Sequence, residues 1–129
     1  MLQAGKQTAT MVSLCCLMDH DLTSAINQKA IKETGGLQTL VNLLEANDFK
    51  CKQGSLLVLS EITQNPGIRR YITNLGIVPI LALFLSHQTR DLQILAAEII
   101  ANVGNISKAR RAIRKHNGIP KLVMNIFMF

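Results

Sequence analysis

Three stretches of this 129-residue chain repeat one another in a single register. Ala30-Ile31-Lys32-Glu33-Thr34-Gly35 aligns with Tyr71-Ile72-Thr73-Asn74-Leu75-Gly76 and with Ala112-Ile113-Arg114-Lys115-His116-Asn117, and the step from the first copy to the second equals the step from the second to the third. Without a gap the alignment continues through Leu37, Val78 and Ile119, then Leu40, Leu81 and Leu122, then Val41, Ala82 and Val123, while Pro79 and Pro120 coincide. A period of about 41 residues is the mark of a stacked array, in which no unit buries its apolar face alone and each contributes one layer to a shared core.

Punctuation inside each unit predicts helices. Asn65 can cap a helix whose first residue is Pro66, where a missing N–H costs nothing, and Gly76 can supply the left-handed turn that ends it. Pro79 then starts a second helix. After the polar break His87-Gln88-Thr89, the segment 90–103 places Leu92, Leu95, Ala96, Ile99 and Val103 at i, i+3, i+4, i+7 and i+11, a buried stripe on a longer third helix stopped by Gly104. One repeat earlier the same positions hold Cys51, Gly54, Ser55, Val58 and Ile62, and the small residues Gly54, Ser55 and Ala96 would let neighbouring helices approach closely. The expected fold is all-α, a right-handed α-solenoid. Its expected parts are the last helix of a partial unit at 1–23, whole units at 24–64 and 65–105, and an incomplete unit with a divergent tail at 106–129.

Hydrophobic residues make up 48% of the chain and charged residues 17%, a balance suited to packed helices and not to a disordered chain. The longest apolar run, 77–85, is broken by Pro79 and is far short of the roughly 18 to 20 residues of a membrane span. A soluble chain without a membrane partner is therefore expected. The apolar segment 11–18 has only Lys6 before it and Asp19-His20-Asp21 after it, without a small-residue cleavage site, which argues against secretion. Cys15, Cys16 and Cys51 form neither a CxxC pair nor an even set, so a reducing compartment is the simpler reading.

Few residues suggest chemistry. Gly5-Lys6-Gln7-Thr8 has the form of the end of a phosphate-binding loop, but the upstream glycine and strand that such a loop needs are missing. His20, His87 and His116 fall in different units, and none lies at helical spacing from a second histidine. Asp19-His20-Asp21 sets a base beside carboxylates without a nucleophile or an oxyanion site. Asn105-Ile106-Ser107 matches a glycosylation sequon, which is irrelevant in the cytosol. No enzyme activity, cofactor, metal or small-molecule substrate is expected.

Residues 65–105 resemble a complete armadillo repeat: a short first helix, a Gly-containing turn, a second helix beginning Gly76-Ile77-Val78-Pro79-Ile80-Leu81, and a third carrying Ala96-Ala97-Glu98-Ile99-Ile100-Ala101-Asn102-Val103. The similarity covers nearly the whole chain. More narrowly, residues 5–10, 50–56, 95–103 and 109–118 are similar to the armadillo-repeat subunits of outer dynein arm docking complexes in motile cilia. That family is much longer. Asn125 departs from it, standing where earlier copies have Leu43 and Phe84, and Ile126-Phe127-Met128-Phe129 then ends the chain without a third helix. A fragment or an alternative C-terminus is expected, with apolar surface exposed at that end.

In such solenoids the third helices line a groove for extended peptides. By periodicity the groove candidates are Lys50, Gln53, Leu57 and Glu61, then Asp91, Ile94, Glu98 and Asn102. Asn102 matches the groove asparagine of importin-like armadillo proteins, but Glu61 replaces it one repeat earlier, and Leu57 and Glu98 stand where those proteins carry tryptophan. Basic import signals are thus poor candidate ligands. The second candidate surface is the basic run Lys108, Arg110, Arg111, Arg114 and Lys115. Residues 1–64 hold five lysines against six acidic residues, and residues 65–129 hold nine Lys or Arg against Asp91 and Glu98, so the halves carry −1 and +7. Such asymmetry suits an acidic partner for the second half, or simply a solvated face. Nucleic acid ranks lower, because aromatic residues are not interleaved with the basic ones.

The resemblance implies a non-catalytic scaffold that helps to dock outer dynein arms on axonemal doublet microtubules. Its expected partners are the coiled-coil docking subunits, dynein and the acidic tails of tubulin, and its expected location is the cytoplasm and the ciliary axoneme. A generic peptide-binding armadillo module of cytoplasm or nucleus, and a truncated product without function, remain as alternatives.

Overall fold

Asn65 ends the extended backbone before a helix, and its Oδ1 accepts from the N–H groups of Gly67 (2.8 Å) and Ile68 (3.3 Å), two first-turn donors that have no intrahelical acceptor. Pro66 takes the first helical position. At the other end of the same helix Gly76 adopts φ +83°, and its counterpart Gly35 adopts φ +77°, a left-handed conformation that glycine enters without a Cβ penalty. The chain bends by 86° there.

The structure is a computed structural model. It describes the backbone of residues 2–116 and 118–128, and the side chains of residues 9–10, 12–86, 88–116 and 118–123. The turn residue Asn117, the phosphate-loop-like 5–8, the side chain of His87 and the apolar tail 126–129 therefore lie outside the described side chains.

Among the described residues the secondary structure is all helix and turn, without a strand. The chain forms two compact units, 1–62 and 63–129. The first contains α1 (Leu2–Met18), α2 (Ala25–Glu33), α3 (Gly36–Leu43) and α4 (Phe49–Ile62), with α4 packed on both α1 and α3. The second contains α5 (Pro66–Asn74), α6 (Ile77–His87), α7 (Arg90–Val103), α8 (Ser107–Lys115) and α9 (Gly118–Met128), with α6 against α5, α7, α8 and α9. Starts at Ala25, Pro66 and Ser107, at Gly36, Ile77 and Gly118, and at Phe49 and Arg90 all recur at the period of the sequence repeat.

Gly104 stops α7 as expected, in a right-handed conformation at φ −61°. Two local expectations shift. The second helix begins at Ile77 and carries Pro79 in its first turn, where an N–H is equally dispensable. On α7 Leu92, Ala96, Ile99 and Val103 are buried as the stripe predicts, but Leu95 is half-buried and Ile100 joins the core instead. Packing explains the rotation, because α5, α6 and α8 all cover α7 and widen its buried arc. On α4 the five expected positions are buried, and Leu56 and Leu59 are buried with them.

A polar contact also repeats with the fold. Gln28 Nε2 donates to Leu22 O (2.7 Å), Arg69 Nε to Thr63 O (2.5 Å) and Arg110 Nη1 to Gly104 O (2.9 Å). Donors and acceptors alike are one period apart from copy to copy. Each first helix thus carries a long donor that reaches back six residues to a carbonyl in the loop before it and gives that acceptor a partner. Arg69 adds a bond from Nη2 to Gln64 O (3.0 Å). Replacing it leaves Thr63 O without that donor, in a residue with no solvent exposure. Arg69→Ala is expected to lower stability by about 1–3 kcal/mol, whereas its exposed neighbour Arg70→Ala stays within about 0.5 kcal/mol. Urea unfolding of both variants distinguishes a capping arginine from a solvated one, since equal losses would rule out the cap.

Candidate functional site

None of the eight groove candidates is buried. On α4, Lys50 and Glu61 are exposed while Gln53 and Leu57 are half-buried, and on α7, Asp91, Ile94 and Glu98 are exposed while Asn102 is half-buried. The alternation that buries Cys51, Ser55 and Val58 inward leaves the opposite side of α4 outward, and α7 follows the same rule. Asn102 does not point a free amide at a ligand: its Nδ2 donates to Thr63 Oγ1 at 2.9 Å.

Leu57 and Glu61 gain neighbours that linear spacing does not reveal. The turn after α1 folds back, so that Met18, His20, Asp21 and Thr23 line a cleft of about 310 Å³ with those two residues. Thr23 donates to Asp21 Oδ1 from its N–H (2.9 Å) and from its hydroxyl (2.5 Å). These bonds hold the Asp21 carboxyl below its usual range. The Thr23 hydroxyl, which lines the cleft, is therefore committed to shaping the turn. Among the described residues no group of three His, Cys, Asp or Glu side chains could hold a metal ion. Nor is any single described helix long and apolar enough to cross a membrane.

A second cleft, of about 380 Å³, opens between α1, α2 and α3 and is mainly apolar, lined by residues such as Leu14, Leu17, Ile31, Leu40 and Leu43. On α9, Ile119 and Val123 are 51% and 43% exposed, so apolar surface does appear near that end of the second unit.

The basic run separates into two kinds of residue. Arg110 is held by Gly104 O and by Ser107 Oγ (2.9 Å), and Lys108 Nζ donates to Asn74 Oδ1 at 2.8 Å. Arg111, Arg114 and Lys115 are exposed on α8, and no acidic side chain pairs with them among the described residues. Arg70 on α5 has the same character, and the linear run could not include it. Its signal in the sequence is the repeat itself, which sets Arg70 one period before Arg111.

No protein-family model matches the chain. Over 71 residues, 55% of its length, it is 59% identical to Armadillo repeat-containing protein gudu of Drosophila melanogaster and 51% identical to Outer dynein arm-docking complex subunit 2 of Bos taurus. A more distant likeness, 30% over 90 residues or 70% of the chain, is to Serine/threonine-protein kinase Nek10 of Homo sapiens. The chain spans only 11%, 7% and 8% of these relatives' own lengths. Over those 71 residues the chain is a homologue of a protein named for its armadillo repeats and of a protein named as an outer dynein arm-docking complex subunit, and its recurring helices accord with that likeness.

Proposed function

We propose that the chain is a non-catalytic protein-interaction scaffold that contributes armadillo-repeat surface to the docking of outer dynein arms on axonemal doublet microtubules. One observation carries this reading: the 51% identity over 71 residues to a protein named as a subunit of the outer dynein arm docking complex. Exposed third-helix residues on α4 and α7, and a cationic face on α5 and α8, supply surface for partners. Coiled-coil docking subunits, dynein and acidic tubulin tails are the partners this role requires, and the axoneme is its location. Repeat boundaries at 24–64 and 65–105, stacked as a right-handed solenoid, belong to the same reading.

Antibodies against the chain, applied to cells with motile cilia, are expected to stain axonemes along their length. Depletion is expected to remove outer arms from cross-sectioned axonemes. A diffuse cytosolic signal with intact outer arms after depletion would overturn the assignment.

A further inference from the structure

Unit 63–129 carries positive charge that its own fold does not neutralise, and the internal repeat supplies the control. Lys29, Arg70 and Arg111 occupy one repeat position, and all three are exposed. In the first copy the cation has an acid one turn along the helix: Lys29 Nζ lies 3.8 Å from Glu33 Oε1. The residues equivalent to Glu33 are Asn74 and Lys115. Arg70 therefore faces an amide one turn on, and Arg111 faces a second cation.

Asn74 has a different task. Its Oδ1 accepts from Lys108 Nζ at 2.8 Å, which draws the first turn of α8 beside the last turn of α5. Arg70 lies one turn before Asn74 on α5, and Lys108, Arg111 and Lys115 follow at i, i+3 and i+7 on α8, so that one bond ties the helix carrying Arg70 to the cationic stripe of α8. Arg114, one turn from Arg111, widens that stripe. All five cations are exposed, and the two acidic residues of this unit, Asp91 and Glu98, both lie on α7. Like charges at this spacing repel, and an anionic ligand would relieve the repulsion.

We propose that this face binds an acidic polypeptide segment, a run of glutamates or aspartates whose carboxylates pair with Arg70, Arg111, Arg114 and Lys115. Arginine's planar fork suits a carboxylate, and three of these four residues are arginines. A single-stranded nucleic acid would stack successive bases on aromatic side chains, and among the described side chains of this unit Tyr71, 37% exposed, offers one such platform while Phe84 is buried. The inference takes the chain to be an interaction scaffold, as proposed above, but does not depend on the ciliary assignment.

The test uses the whole chain and a fluorescein-labelled peptide of about ten glutamates, followed by anisotropy at low salt, where exposed charges are screened least. Asn74→Glu combined with Lys115→Glu copies the acid of the first repeat into the second and third. This pair is expected to weaken binding by roughly tenfold or more, while the thermal midpoint stays level or rises because each new carboxylate gains a partner one turn away. Lys29→Glu combined with Asn47→Glu removes the same net charge from the other unit and is expected to leave binding within about twofold. Equal weakening by both pairs would reduce the effect to overall charge and overturn the proposal. Tighter binding of a single-stranded oligothymidylate of matched charge would overturn it in favour of nucleic acid. No binding of the peptide by the unaltered chain would also overturn it, while axonemal staining would still decide the ciliary role.

Discussion

Leu81→Ala is expected to lower the unfolding free energy by about 2–5 kcal/mol and the thermal midpoint by roughly 10 °C. Leu81 has no solvent exposure and sits on α6, the helix that packs on α5, α7, α8 and α9. Truncation to alanine removes apolar surface from the core and leaves a cavity that helices held on several sides cannot close. Leu83, two residues along the same helix, is 59% exposed. Leu83→Ala is accordingly expected to stay within about 0.5 kcal/mol. Far-UV circular dichroism during heating compares the two directly. Similar midpoints would mean that α6 is not the centre of unit 63–129, and would undercut the placement of α5 and α8 on which the cationic face depends.

Helix positions were legible because their punctuation is local. Asn65, Pro66 and Gly76 act on their immediate neighbours, and the repeat then carries their meaning to the other copies. Burial was less legible. Periodicity identifies one stripe per helix, but α7 is covered by three helices, and only their arrangement decides that Ile100 is buried while Leu95 is half-buried. Charge was the least legible. Arg69 and Arg70 are neighbours of the same type, yet one caps a loop carbonyl and the other meets solvent. A linear run of Lys and Arg cannot distinguish them, which is why Arg110 stood beside Arg111 as an equal candidate. The recurrence of Gln28, Arg69 and Arg110 at one repeat position was the available signal, because a position that keeps a long donor while losing its charge points to hydrogen bonding. The cleft that joins His20 and Asp21 to Leu57 and Glu61 left no such trace, since it arises from a turn folding back onto a helix two elements further along the chain than its neighbour α2.

Gly54→Leu is expected to separate α1 from α4, where Gly54→Ala is nearly neutral. A Cβ built at Gly54 would stand 3.0 Å from Leu14 Cδ1 and 3.6 Å from Leu14 Cβ. Alanine meets only the end of a flexible side chain, and its better helix propensity, worth about 0.5–1 kcal/mol, offsets the crowding. Leucine has no space, because Leu14 is itself 4% exposed, and overpacking of this kind costs about 1–3 kcal/mol. Cys51, one turn earlier on the same stripe, reports the change. It is 2% exposed, and burial, together with the nearby Asp48 carboxylate, pushes its thiol up from 9.0 to about 11. A neutral buried thiol favours the folded state fully below pH 9, and that contribution is lost as pH rises through about 11. The thiolate is the reactive form, so iodoacetamide at pH 8 is expected to modify the exposed Cys15 and Cys16 and to spare Cys51 in the unaltered chain. In Gly54→Leu, Cys51 is expected to be modified in folded protein and urea unfolding to shift downward, whereas Gly54→Ala preserves the protection. If the leucine variant kept both the unaltered midpoint and an unmodified Cys51, the close contact of α1 with α4 would be wrong, because no rearrangement could admit a leucine there without uncovering the stripe or lowering the stability.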